Sequence, residues 1–319
     1  RKESSAASDV YKRQHQAVVN REDLSDVIYR ISPTDTPFLS AIGRSKATNT
    51  LHEWTTDELA TPGKNATVEG APTATDTVNP GVRCTNRIQY SRKAPSISTT
   101  QQAARSAGNL YRMATQMAKK SAELKLDMEY ALLNNKTAVD GDGSSTPSEL
   151  RGLDGWIATN VSLGNSGVAP DPYNNVAAVD GTEREFTEDL LIDVLQKCYQ
   201  EGGKPNLILL APPQKQKFST FGGRANTTIT DAASAKTLIN AVDIYVSDYG
   251  RLKVVPSRIV DTKTAYVLET EKFSTAYLQP FQQKDLAYTG GAISKEITVQ
   301  YTLRVGNEKS SGVIRDLAA

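Results

Sequence analysis

Two histidines, His15 and His52, and two cysteines, Cys84 and Cys198, are the whole imidazole and thiol stock of this 319-residue chain. His-dependent triads and most His-ligated metal sites therefore have almost no material to work with. The cysteines lie far apart without CxxC spacing, which indicates ordinary thiols, neither a disulfide framework nor a zinc site. Asp140-Gly141-Asp142-Gly143 looks like the start of a calcium loop, but the later acidic ligands and terminal Glu are missing, so turn chemistry suffices. Gly202-Gly203-Lys204-Pro205 lacks both the upstream glycine and the following hydroxyl of a phosphate-cradling loop, and no G-x-S-x-G elbow occurs. Carboxylates are frequent, yet no spacing sets two of them on a recognisable catalytic scaffold. No cofactor, metal or catalytic residue is expected, and a mixed α/β hydrolase or transferase is the minor reading. Arg83, Arg87, Arg92 and Lys93 form a local basic ladder, read as a solvated face or a surface for inter-subunit pairing ahead of a phosphate grip.

Charge gives no stronger lead. Lys plus Arg number 37 against 36 Asp plus Glu, so no global field favours nucleic acid or an anionic membrane. Nothing resembles an 18-residue apolar run or a secretory h-region, so the expectation is a soluble protein with no membrane partner. Residues 1–14, RKESSAASDVYKRQ, look like an adapter-derived peptide and are set aside as a non-native tail; the chain opens on Arg, and its first methionine is Met113.

The elements that must position any site are strongly punctuated. Leu24, Val27, Ile28 and Ile31 fall on one stripe of an amphipathic helix whose first turns carry acids. Ser32-Pro33 ends that helix, and Thr36-Pro37 reads as N-cap and first position of the next one. This is a hinged arm that packs either on its own core or on a neighbour. Residues 50–55 and 83–90 alternate as strands, and between them runs a long Thr-, Pro-, Gly- and Asn-rich excursion with almost no large apolar side chain. Compact domains rarely leave so long a connection uncovered, so something outside the single chain is expected to hold it. A helix is predicted over 108–133 from Leu110, Met113, Met117, Leu124, Met128 and Leu132, with the methionines as gap-filling core. An α/β region follows: a helix capped by Thr187, the buried strand NLILL, a helix opened by Pro212-Pro213, and strands near 242–246, 252–255, 265–268 and 273–278. Residues 293–305 read as the longest strand, with the tail 307–317 turning back onto it.

In order, these pieces are an arm, a hairpin-like excursion, one long helix, an α/β lobe and a final long strand. That order, with the segments REDLSDVIYRISPTDTPFLSAIG, GLDGWIATN, EGGKPNLILLAPPQKQKF, SDYGRLKVVPSR and TLRVGNEKSSGVIRDL, resembles the tailed-phage major capsid proteins of the Hong Kong 97-type fold, over nearly everything after residue 15. The resemblance implies an α+β chain with an N-terminal arm (15–44), an extended loop (45–96), a peripheral domain with the spine helix (97–187), an axial domain (188–258) and peripheral return strands (259–319). It implies self-assembly, as pentamers and hexamers, into an icosahedral shell enclosing double-stranded DNA without sequence specificity in the virion. Portal, scaffold and decoration proteins are the further partners it implies. Inter-subunit contacts are expected at Leu24, Val27, Ile28, Ile31, Trp54, Lys64, Arg83 and Arg87. Some relatives cross-link a lysine to an asparagine; Lys64 lies in the right sort of loop, but no acceptor is identified and no cross-link is assigned. A cellular nanocompartment shell with the same fold is the structural alternative.

Overall fold

The computed structural model describes residues 35–70, 78, 80–103, 112–221, 244–288 and 290–318. Thirteen strands are assigned among them: β1 Gly43–Lys46, β2 Leu51–Thr56, β3 Val82–Arg87, β4 Gln89–Lys93, β5 Ser96–Ser98, β6 Val161–Ser162, β7 Leu207–Leu210, β8 Ile244–Ser247, β9 Gly250–Pro256, β10 Ala265–Leu268, β11 Phe273–Asp285, β12 Ala292–Val305 and β13 Gly312–Ile314. They form three sheets. The first runs β1-β11-β12-β4, with β5 also on β12; the second runs β6-β13-β10-β7-β9-β8; the third is the isolated hairpin β2-β3.

The spine helix Met113–Asn134 lies on the first sheet and is about 33 Å long at 1.5 Å per residue. Its start at Met113 falls inside the expected 108–133; Leu110 and the other residues at 104–111 lie outside the described residues. Met113, Met117, Leu124, Met128 and Leu132 face the core, as their spacing requires. Opposite them β12 places Ile297, Val299, Tyr301, Leu303 and Val305 on the same face, at the period of two that a half-buried strand demands. β11 is longer than the expected 273–278 because its outer half is mostly polar and, among the described residues, is carried by pairing with β12 alone, with register shifts between Tyr277 and Gln282 that bend it.

β7 explains how two cores become one body. All four of its residues are buried, and they alternate: Leu207 and Leu209 join the core under the spine helix, while Ile208 and Leu210 join a second core with Leu191, Val194 and Leu195 of the helix Glu188–Gln200. A strand covered on both faces reads as a continuous apolar run, which is why NLILL carries no alternation.

One expectation is corrected. The tail does not return to β12; β13 pairs antiparallel with β10 and parallel with β6, in the second sheet. The reason is burial: β13 is apolar and enclosed on both faces, and Gly312 lets it approach Val194 and Asn160 so closely that a Cβ there would lie 2.3 Å from a Val194 methyl. The second sheet thus draws strands from before residue 188 and after residue 258 as well as from between them.

Candidate functional site

The GLDGWIATN and GVIRDL segments meet in the interior. Leu153–Gly155 form a buried 3-10 turn, and the Arg315 guanidinium donates to the Asp154 carboxylate and to its backbone carbonyl. The two side chains are 4% and 9% exposed, and the Tyr266 hydroxyl adds a 3.3 Å bond to the same carboxylate. Burial beside Asp154 pushes the Tyr266 phenol well above its ordinary range, so it remains a donor. Asp316, in left-handed backbone at φ 59°, accepts from Gly164 N and Gly181 N at 2.8 Å each. Burial likewise pushes the Cys198 thiol up to about 12, which leaves it inert packing in the second core. These groups form a buried clamp that ties the two segments together through the Asp154, Tyr266 and Asp316 bonds, while Arg315 Nε is buried without a partner among the described residues.

The hairpin β2-β3 stands on this interior. Asn86, 1% exposed, uses all four bonding positions of its amide: Nδ2 donates to Arg151 O and Leu303 O, and Oδ1 accepts from Arg151 N and Arg87 N. Sequence reasoning missed it, although its place between Cys84 and Ile88, all three buried, held the signal. At Ile88 the single expected strand 83–90 divides, passing from the hairpin into the first sheet.

Trp54 was expected to be satisfied by a neighbouring subunit. That is corrected: the indole is 8% exposed, donates to Val305 O at 2.7 Å and sits 5.4 Å from the Trp156 ring. An alternating strand places one face on its own core, and the indole follows. Trp54→Phe should keep the ring contact and orphan the Val305 carbonyl, costing about 1–3 kcal/mol by denaturant unfolding; an unchanged midpoint would show that the bond contributes nothing. The basic ladder is likewise answered within the chain: Arg83 by Glu53, Arg87 by Asp140, Arg92 by Glu296 and Lys93 by Asp127. Such exposed pairs are worth at most about 1 kcal/mol each, so they leave Arg83 and Arg87 able to exchange partners. Asp142 accepts from the backbone of Ser144, Ser145 and Thr146, which holds its carboxyl far below the usual range and closes the turn.

Between β2 and β3 the described parts of the excursion carry no helix or strand and lie in solvent, with Leu59 99% and Val68 80% exposed, and Lys64 exposed beside them. The arm stripe Leu24, Val27, Ile28 and Ile31 lies outside the described residues.

The arm's root is described. Thr36 stands at the N-cap of the helix Pro37–Ala41 but makes no side-chain cap bond. Glu129, fully buried on the spine helix, caps it instead, accepting from Phe38 N at 2.8 Å and Leu39 N at 2.7 Å. Burial pushes this carboxyl up to about 6 against the pull of those two amides. When the root detaches, water restores the ordinary value near 4.5, so the docked form binds protons more tightly. Docking therefore gains about 2 kcal/mol below pH 4.5, an increment lost as pH rises through 6. Amide exchange at Phe38 and Leu39, corrected for intrinsic rates, should show greater protection at pH 4.5 than at pH 7, and Glu129→Gln should abolish the difference; protection rising with pH would refute the assignment.

A spine helix on a largely antiparallel sheet, a second mixed sheet and a hairpin bearing an exposed excursion are the parts of the Hong Kong 97-type phage capsid fold. Solved structures share that fold across nearly the whole chain. The cyanophage A-1(L) capsid asymmetric unit is similar at TM-score 0.69 and 14% identity, over 96% of this chain and 99% of that one. The capsid of a native GTA particle is similar at 0.59 and 11%, over 94% and 96%. The major capsid protein of Escherichia phage Phieco32 is 25% identical over 89% of this chain and 90% of its own length. The chain belongs to the SU10 major capsid protein family, whose model matches residues 10–318. It is a phage major capsid protein, a structural subunit of the virion's capsid shell.

Proposed function

We propose that copies of this chain associate as pentamers and hexamers into an icosahedral shell around double-stranded DNA, each copy laying its excursion over a neighbour and requiring no catalysis. The observation that carries the reading is the excursion itself, in which Leu59 and Val68 are left in water on a segment without secondary structure while Trp54 and Asn86 anchor the hairpin beneath it to its own chain. A charge balance near neutrality suits an inner face that tolerates DNA without gripping it. In this reading the arm (15–44) with its stripe Leu24, Val27, Ile28 and Ile31, Lys64 on the extended loop (45–96), and Arg83 and Arg87 at its base contact other copies. Residues 97–187 and 259–319 serve as the peripheral domain and 188–258 as the axial domain, with the second sheet spanning their junction. Portal, scaffold and decoration proteins are the accessory partners.

Expression followed by sedimentation and negative-stain microscopy tests this. Closed particles are expected. Stable monomers alone, even with scaffold and portal supplied, would overturn it. Particles that co-purify with a cargo enzyme in place of DNA would point to a nanocompartment, and turnover lost on replacing one pocket carboxylate would point to an enzyme.

A further inference from the structure

β1 covers β11 only from Ser274 to Tyr277, so on that side the strand from Leu278 onward has no partner among the described residues. Where the cover ends, a groove of about 540 Å³ opens, floored by Tyr277, Leu278 and Phe281 and rimmed by Arg44, Lys46 and Lys125. The three cations are exposed, and no ion pair is found for any of them among the described residues, in a chain where most other cations near the hairpin have one. An apolar floor and three unspent positive charges fit an extended acidic segment with an apolar side chain, held mainly through side chains because Pro280 removes one donor from the strand edge.

The chain carries such a segment. Asp57-Glu58-Leu59 begins the excursion with two acids and the most exposed large apolar residue described. Across the described stretch 57–70, Asp57, Glu58 and Glu69 outnumber Lys64. Glu58 has one partner in the chain, Lys309 at 2.7 Å, but that carboxylate is 68% exposed and the pair exchanges at little cost. A nucleic-acid phosphate would use the cations but leave Leu278 and Phe281 uncovered.

We infer that the groove between Lys46 and Lys125 is the seat for Asp57–Leu59 of a second copy. The inference rests on the reading that the chain assembles through its excursion, and it names where the excursion lands. Charge swapping in the full chain tests it. Lys46→Glu with Lys125→Glu, and separately Asp57→Lys with Glu58→Lys, should each lower particle yield by roughly tenfold or more, since like charges in register cost several times the ~1.4 kcal/mol that makes a factor of ten. Combining all four should restore yield to within about twofold of the unmodified chain. As a second readout, Leu59→Cys with Phe281→Cys should give a ladder of disulfide-linked multimers from particles under non-reducing conditions, with Cys84 and Cys198 buried and silent. Groove reversals that assemble normally, or particles without a ladder, overturn the inference while leaving the shell function intact. Groove reversals that assemble but enclose less DNA assign the groove to phosphate and overturn it too. If the unmodified chain forms no particles under any condition, the assembly reading itself fails and the inference falls with it.

Discussion

Asp154→Ala is expected to remove about 3–5 kcal/mol of folding stability, because it leaves the Arg315 guanidinium charged, 4% exposed and without its counter-ion. Ordinary domains are stable by about 5–15 kcal/mol, so soluble yield should fall and the unfolding midpoint should drop steeply. The effect spreads because Arg315 lies beside Asp316, which holds the 164–181 loop, and one residue past β13 of the second sheet. Replacing both partners together, Asp154→Leu with Arg315→Met, should be less damaging than Asp154→Ala alone, since no buried charge is then stranded. A single variant as stable as the parent, measured by urea unfolding, would show that water reaches the guanidinium and that the clamp is not dry.

Excising the excursion is expected to abolish assembly while sparing the subunit. Thr56 and Val82 face each other across the hairpin, so an Asn-Gly turn in place of residues 57–81 can close it without changing register. The loss to the fold is small: an exposed ion pair between Glu58 and Lys309, offset by the lower closure entropy of a shorter loop. Sedimentation should show folded subunits with no particles, and thermal unfolding should match or exceed the parent. A shortened chain that unfolds would return the excursion to its own core; one that forms closed shells would show that other surfaces drive assembly.

Much of this architecture was legible because local rules and the final packing agree. Pro37 begins its helix at N1, the spine helix keeps its 3.6-residue stripe, and β12 alternates along the face it buries. The excursion was legible by what it lacks, since a segment with so few large apolar residues cannot build a core of its own. The errors share one cause. Trp54, Asn86, Glu129 and Asp154 each act through a partner from 65 to 251 positions away in sequence. No periodicity encodes such a pairing, because it exists only once sheets and helix have closed over it.

Glu129 shows the boundary most plainly. On the helix it reads as one more acid between Met128 and Tyr130, facing water as readily as protein. Whether it is a solvated charge or the buried cap of a distant helix depends on which turn of the spine meets the arm's root. The chain's own pattern therefore determined the elements, their order and the segment left in solvent. Tertiary closure alone decided which charges would be buried, because desolvation is a property of the surroundings and not of the residue.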